Sequence, residues 1–159
     1  MEDTPTLLIR PFDPVRDQSA WFHLNESWIS QFFTMEEADY RLLREPEKHI
    51  LEVGGIILIA EHEGKVVGTC ALVPLQHPDY QYELTKMAVS VENRGLGIGK
   101  RLAYAALEAA REKGATGIYL ESHRKLAPAL ALYRKLGFRD VAALDSAYAR
   151  ADVRMAVVL

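Results

Sequence analysis

Three glycines at alternate positions, Gly95, Gly97 and Gly99, stand at the mouth of an otherwise strongly helical segment. Arg94, Lys100 and Arg101 crowd around them. A glycine inside a helix costs about 1 kcal/mol relative to alanine. Cations at a helix N-terminus also oppose the helix dipole. Both costs are offset when bare backbone N–H groups meet a bound anion. The segment therefore reads as a cradle for a pyrophosphate.

Two familiar phosphate binders do not fit it. A P-loop needs four residues between its glycines and then Lys-Ser or Lys-Thr, whereas three separate Gly95 from Gly99 and Arg101 follows Lys100. A dinucleotide fingerprint would place its third glycine at Lys100. Glu121 stands where a ribose-binding acid could sit, but a hairpin pattern lies upstream in place of parallel repeats.

The 159 residues suit one domain, 1–159, with 49% apolar and 26% charged residues, which is ordinary for a soluble globular protein. A net charge of −3 argues against bulk nucleic-acid binding. The single cysteine, Cys70, excludes an intrachain disulfide and suits a reducing cytoplasm, and its apolar run VVGTCALV predicts a buried, inert thiol. The start of the chain lacks the pattern of a signal peptide, no apolar run reaches membrane-spanning length, and the five histidines lack metal-ligand spacing. The expectations are a cytoplasmic protein with no metal, membrane or nucleic-acid partner.

The elements that must position the glycine turn follow from periodicity. Residues 6–10 read as a first strand. Residues 16–33 carry Trp21, Leu24, Trp28 and Phe32 at helical spacing, and 35–51 form a charged helical stretch interrupted at Pro46. Strands over 56–61 and 66–73 form a hairpin around His62-Glu63-Gly64-Lys65, and 82–91 form a third long strand. The helix after the glycines places Ile98, Leu102, Ala105, Ala106 and Ala109 on one face and stops at Gly114. A strand over 117–122, a helix over 128–136 with Gly137 as its cap, and strands over 138–144 and 152–159 complete the chain. This order predicts a mixed α/β sheet with helices on its faces and a right-handed parallel crossover from Tyr82 to Ser122.

Arg94-x-x-Gly97-x-Gly99 directly after an apolar strand resembles the acetyl-CoA signature of the GNAT superfamily of N-acetyltransferases. A second motif is similar to that family too: ALALYRKLGF, through Ala129, Leu132, Tyr133, Lys135, Gly137 and Phe138. The resemblance implies an α+β, mostly antiparallel mixed sheet with one splayed parallel pair and helices on both faces. It implies acetyl-CoA as co-substrate, with the backbone of Met87, Ala88 and Val89 pairing with pantetheine. The amides of Gly95, Leu96, Gly97, Ile98, Gly99 and Lys100 would then hold the pyrophosphate beside Arg94. Backbone N–H groups at 87–89 would polarise the acetyl carbonyl.

Tyr133 sits on a helical stripe with Ala129, Leu132 and Leu136, where packing alone would explain a tyrosine; the resemblance implies the general acid that protonates the departing thiolate. Glu83 opens the central strand where several relatives keep a water-linked general base, others using water alone; a carboxylate there attracts an ammonium and accepts its proton. Its plainer reading is a solvated strand end. Many relatives carry an asparagine at the position of Leu126, and His123 either takes over that polar contact with the cofactor or lies on the surface. Trp28, Phe32 and Phe33 either wall the acceptor pocket or pack in the core. Arg150 or Arg154, beside Asp152, either holds a substrate carboxylate or faces outward.

These expectations amount to acetyl transfer to a primary amine of a small molecule, with the net charge of −3 favouring a cationic one, by direct attack in a ternary complex. No ready nucleophile points to an acyl-enzyme. A non-catalytic acyl-CoA sensor on the same fold is the alternative. A homodimer is compatible with the family.

Overall fold

The computed structural model describes residues 6–145 and 148–159. In chain order the elements are β1 (Leu7–Pro11), α1 (Gln18–Phe32), α2 (Glu37–Arg44), a π-helical turn (Glu47–Leu51) after Pro46, β2 (Ile56–His62) and β3 (Lys65–Pro74). Then follow β4 (Tyr82–Val89), a short 3-10 turn (Val91–Asn93), α3 (Ile98–Glu112), β5 (Gly117–Ser122), α4 (Ala127–Lys135), β6 (Arg139–Asp140) and β7 (Val153–Val158). The strands form one seven-stranded sheet in the order β1-β2-β3-β4-β5-β7-β6. Its neighbours are antiparallel except β4 and β5, which α3 joins as a parallel crossover.

Two apolar clusters cover the two faces. On one, Leu102, Ala106 and Ala110 of α3 pack over Leu58, Cys70, Leu84, Ile118 and Leu120 of the sheet. Ala105 and Ala109, expected on that stripe, are only half-buried, because Ala103 and Leu107 share the buried face. On the other, Trp21 of α1, Leu43 of α2 and Ile50 of the π-helical turn cover Ile57, Ile59 and Ala71. The buried stripe of α1 is Trp21, Asn25 and Ile29, at i, i+4 and i+8. It is rotated from the expected aromatic one, leaving Trp28 half-buried and Phe32 exposed.

The expected strand over 138–144 shrinks to Arg139–Asp140, which pairs with β7 as an edge. Beyond it the run VAAL has no alternation to exploit, and Ala142 and Ala143 are exposed. Among the described residues no helix is long and apolar enough to cross a membrane.

Two irregularities of β4 shape the molecule. Its pairing with β5 spans only Tyr82↔Ile118, Glu83↔Tyr119 and Leu84↔Leu120, after which the strands part. Against β3, Ala71 faces Thr85 but Thr69 faces Ala88, so β4 advances three residues while β3 advances two. The extra residue makes a β-bulge at Lys86, whose φ is +54°. In regular alternation Lys86 would share the apolar α3 face with Leu84. The bulge turns it to the α1/α2 face instead.

Candidate active site

A cavity of about 390 Å³ opens where β4 and β5 part, lined at one end by the glycine turn and at the other by α1 and the segment 148–151. Past Leu84 the β5-facing edge of β4 has no strand partner. Met87 and Val89 line the cavity, while the Ala88 side chain is buried.

At the glycine end, Gly95 and Gly97 have φ of +84° and +76°, a left-handed conformation in which a side chain is strained. Gly99 has no such need: a Cβ there would meet nothing nearer than Val89 Cγ2 at 3.9 Å. The space above it is open. The N–H groups of residues 95 to 100 donate no hydrogen bond among the described residues, whereas Arg101 N–H reaches the Gly97 carbonyl at 3.1 Å and begins the helical ladder. Six consecutive backbone donors are therefore left without a partner among the described residues, beside space that a side chain at 99 would enter. Leu96 points outward into solvent, and Lys100 lies over the Tyr104 ring. Arg94 is held against the turn by bonds to the Val89 carbonyl and Gln31 Oε1, both 3.3 Å.

Tyr133 of α4 lines the slot with its ring packed on Phe138, centroids 5.8 Å apart. Burial, aided by Cys70, pushes its phenol up to about 12, so it stays protonated. Leu126 brings only apolar surface to the lining. His123 also lines the cavity, stacked edge-on against Phe33 at 5.2 Å. Its Nε2 lies 3.3 Å from Asp152, and its Nδ1 accepts the Lys125 N–H at 3.0 Å. Both ring nitrogens thus have partners within the protein, while the ring itself faces the cavity.

Glu83 lines the opposite half, just before the strands part. Burial first, and then the neighbouring Glu121 carboxylate, push its carboxyl up to about 7 against the opposing influence of Lys86. A carboxyl poised there exchanges a proton readily near neutrality.

The wall beyond Glu83 is a buried ionic cluster. Lys86 Nζ lies 2.7 Å from Asp39 Oδ1 and donates to the Tyr148 hydroxyl at 3.1 Å. Arg150 grips both Asp39 oxygens at 2.7 Å and Glu36 Oε2 at 3.1 Å. Burial would raise the Asp39 carboxyl, but Arg150, Lys86 and the Glu36 N–H hold it at about 2. Burial dominates at Lys86 and lowers its ammonium, although Asp39 pulls the other way.

Sequence reasoning missed Asp39, Glu36, Tyr148 and Lys86. The available signal was Lys86 itself, a lysine inside LTKMAV that demands a buried partner. Arg150 turns inward as one alternative required, but toward Asp39; Arg154 pairs with Glu121 at 3.7 Å. Phe32 lies outside the cavity lining, packed on the rings of Trp28 and Phe33 at 5.7 and 6.4 Å. Trp28 and Phe33 do line it.

A mixed sheet whose parallel pair parts beside a glycine turn of free amides defines an acyltransferase fold of one kind. The chain belongs to the acetyltransferase (GNAT) family, whose model matches residues 19–138. It is similar to human N-acetyltransferase 8B, 30% identical over 75% of this chain and 53% of that protein. It thus spans about half the length of the curated relatives it matches. Its fold is that of an acetyltransferase of the GNAT family from Staphylococcus aureus Mu50, with a TM-score of 0.85 at 22% identity over 96% of this chain and 99% of that one. The PaiA N-acetyltransferase of Thermoplasma acidophilum, solved in complex with coenzyme A, superposes with a TM-score of 0.74 at 20% identity over 97% and 99% of the two chains.

Proposed function

We propose that this chain transfers an acetyl group from acetyl-CoA to a primary amine of a small molecule, by direct attack within a ternary complex. The observation that carries the reading is the unpaired β4 edge running into six free amides at residues 95–100. An extended amide chain such as pantetheine satisfies a strand edge, and a diphosphate satisfies the amides. The open space above Gly99 fits that occupant. Acetyl-CoA supplies the activated acyl group. Backbone N–H groups at 87–89 would polarise its carbonyl.

Glu83, poised near neutrality, takes the proton that an ammonium must lose, directly or through water. Tyr133, kept protonated by burial, gives one to the leaving sulfur. A covalent acyl-enzyme is disfavoured, because the one cysteine is buried against the Leu102 carbonyl and its thiol is pushed up to about 12. That unpaired thiol also suits the cytoplasm, the compartment we assign.

An amine panel monitored by release of free CoA thiol tests the proposal. Release with at least one amine, abolished when acetyl-CoA is omitted, is the expected result. Stoichiometric binding of acetyl-CoA with no release across the panel would overturn it in favour of a sensor.

A further inference from the structure

Charge is matched unevenly around the acceptor half of the cavity. Four basic side chains line the cavity: Lys86, Arg94, His123 and Arg150. Arg94 belongs to the glycine turn. The other three each hold a carboxylate standing outside the lining. Lys86 and Arg150 share Asp39 at 2.7 Å, Arg150 also bonds Glu36 at 3.1 Å, and His123 meets Asp152 at 3.3 Å. Of the two lining carboxylates, Glu121 accepts from the Tyr119 hydroxyl at 2.8 Å and faces Arg154 at 3.7 Å. The Glu83 side chain has no hydrogen bond or ion pair among the described residues. From α1 and its C-cap the lining is Trp28, Ile29 and Phe33, together with Asn25, whose amide nitrogen donates to the Trp21 carbonyl and Thr69 Oγ1.

We infer, resting on the acetyltransferase reading above, that the acceptor is a primary monoamine on an apolar body, with no carboxylate beside the amine. Its ammonium meets the one unmatched carboxylate, Glu83, and its body meets the aromatic wall. A substrate carboxylate would reach cations already satisfied and would crowd Asp39 and Glu36 with a third anion, and like-charge juxtaposition is strongly unfavourable. A second ammonium would find no free carboxylate and would lie near Lys86 and Arg150. The site therefore rejects amino acids and diamines. Arg150 acts as part of the wall, not as a carboxylate hook.

The test uses matched pairs: 2-phenylethylamine against phenylalanine, and pentylamine against 1,5-diaminopentane, with a hexapeptide beginning in alanine as a further arm. Thiol release gives kcat/KM, and calorimetry on the protein saturated with CoA gives binding without turnover. The first member of each pair should be favoured by roughly tenfold or more in either measurement, and the peptide should be poor. Equal or better use of phenylalanine, the diamine or the peptide would overturn the inference. If no amine releases thiol, the acetyltransferase reading fails, while calorimetric preference within the pairs still decides the acceptor chemistry. Asp39→Asn frees donors of Arg150 and Lys86 and should raise phenylalanine binding relative to 2-phenylethylamine. Should that variant not fold, Glu36→Gln releases one Arg150 bond with the same expected direction, and an unchanged ratio in a folded variant counts against the inference.

Discussion

Lys86 Nζ lies 2.7 Å from Asp39 Oδ1, with both side chains almost wholly buried, although one belongs to a central strand and the other to a short helix on the sheet face. The β-bulge makes this meeting possible, because regular alternation would send the ammonium into the apolar cluster under α3. Arg150 completes the arrangement from the far end of the chain, so three distant segments close one wall of the cavity around a single carboxylate.

Removing that carboxylate should cost more than any surface change. Asp39→Ala leaves Lys86 and Arg150 buried without their partner, and a loss of about 3–5 kcal/mol is expected from urea denaturation. The wild-type protein carries a matching acid signature. The Asp39 carboxyl titrates near 3.8 when unfolded and at about 2 when folded, so its stabilisation is complete above about pH 4 and fades as pH falls toward 2. Asp39→Asn should flatten that part of the stability profile.

Glu83→Gln should lower kcat/KM by about 10²–10⁴-fold. In the wild type kcat/KM should rise with pH through an inflection near 7, as the carboxyl loses its proton, and the variant should lack that inflection. Stability runs the other way. A folded value raised from 4.5 to about 7 means that the Glu83 contribution is full below about 4.5 and is lost as pH climbs through 7. Above pH 7 the glutamine variant should therefore melt at a higher temperature than wild type. A lower one would contradict the burial argument.

Tyr133→Phe retains the ring that packs on Phe138 and removes only the hydroxyl. Turnover should fall by about 10²-fold or more, while affinity for acetyl-CoA, measured by calorimetry, and thermal stability change little. Equal losses in affinity and turnover would assign the hydroxyl to binding.

The glycine turn yields variants of opposite sign. Gly97→Ala places a side chain at φ +76° and should cost about 1 kcal/mol of stability. Gly99→Ala meets only an ordinary van der Waals contact with Val89 Cγ2 at 3.9 Å and replaces a helical glycine, so the ligand-free protein should gain up to about 1 kcal/mol. Both should weaken CoA binding. Stabilisation by Gly99→Ala with undiminished CoA affinity would remove the anion cradle from that position.

Much of this molecule was legible in linear order, for reasons that differ by element. Helix α3 announced itself because its apolar period, its glycine start and Gly114 agree over four turns. The hairpin of β2 and β3 was equally clear, because alternation and a Glu63-Gly64 turn lie within a few residues. Helix α1 was found with its stripe misplaced, since aromatic residues on two sides compete and Asn25 is buried by its bonds to Thr69 and the Trp21 carbonyl. Phe32, on the expected stripe, falls outside the cavity lining.

Short-range patterns determined most of the elements, the glycine turn and the helix that carries Tyr133, because those depend on neighbours within a turn or a hairpin. Tertiary structure decided where β4 leaves β5, that β7 lies between β5 and β6, and that Asp39, Lys86 and Arg150 meet. Those depend on strand registers and on ion pairs across 47 and 111 residues of chain, for which no local periodicity exists. The charge left unmatched at Glu83 is therefore a property of the fold, although each residue that produces it was in plain sight.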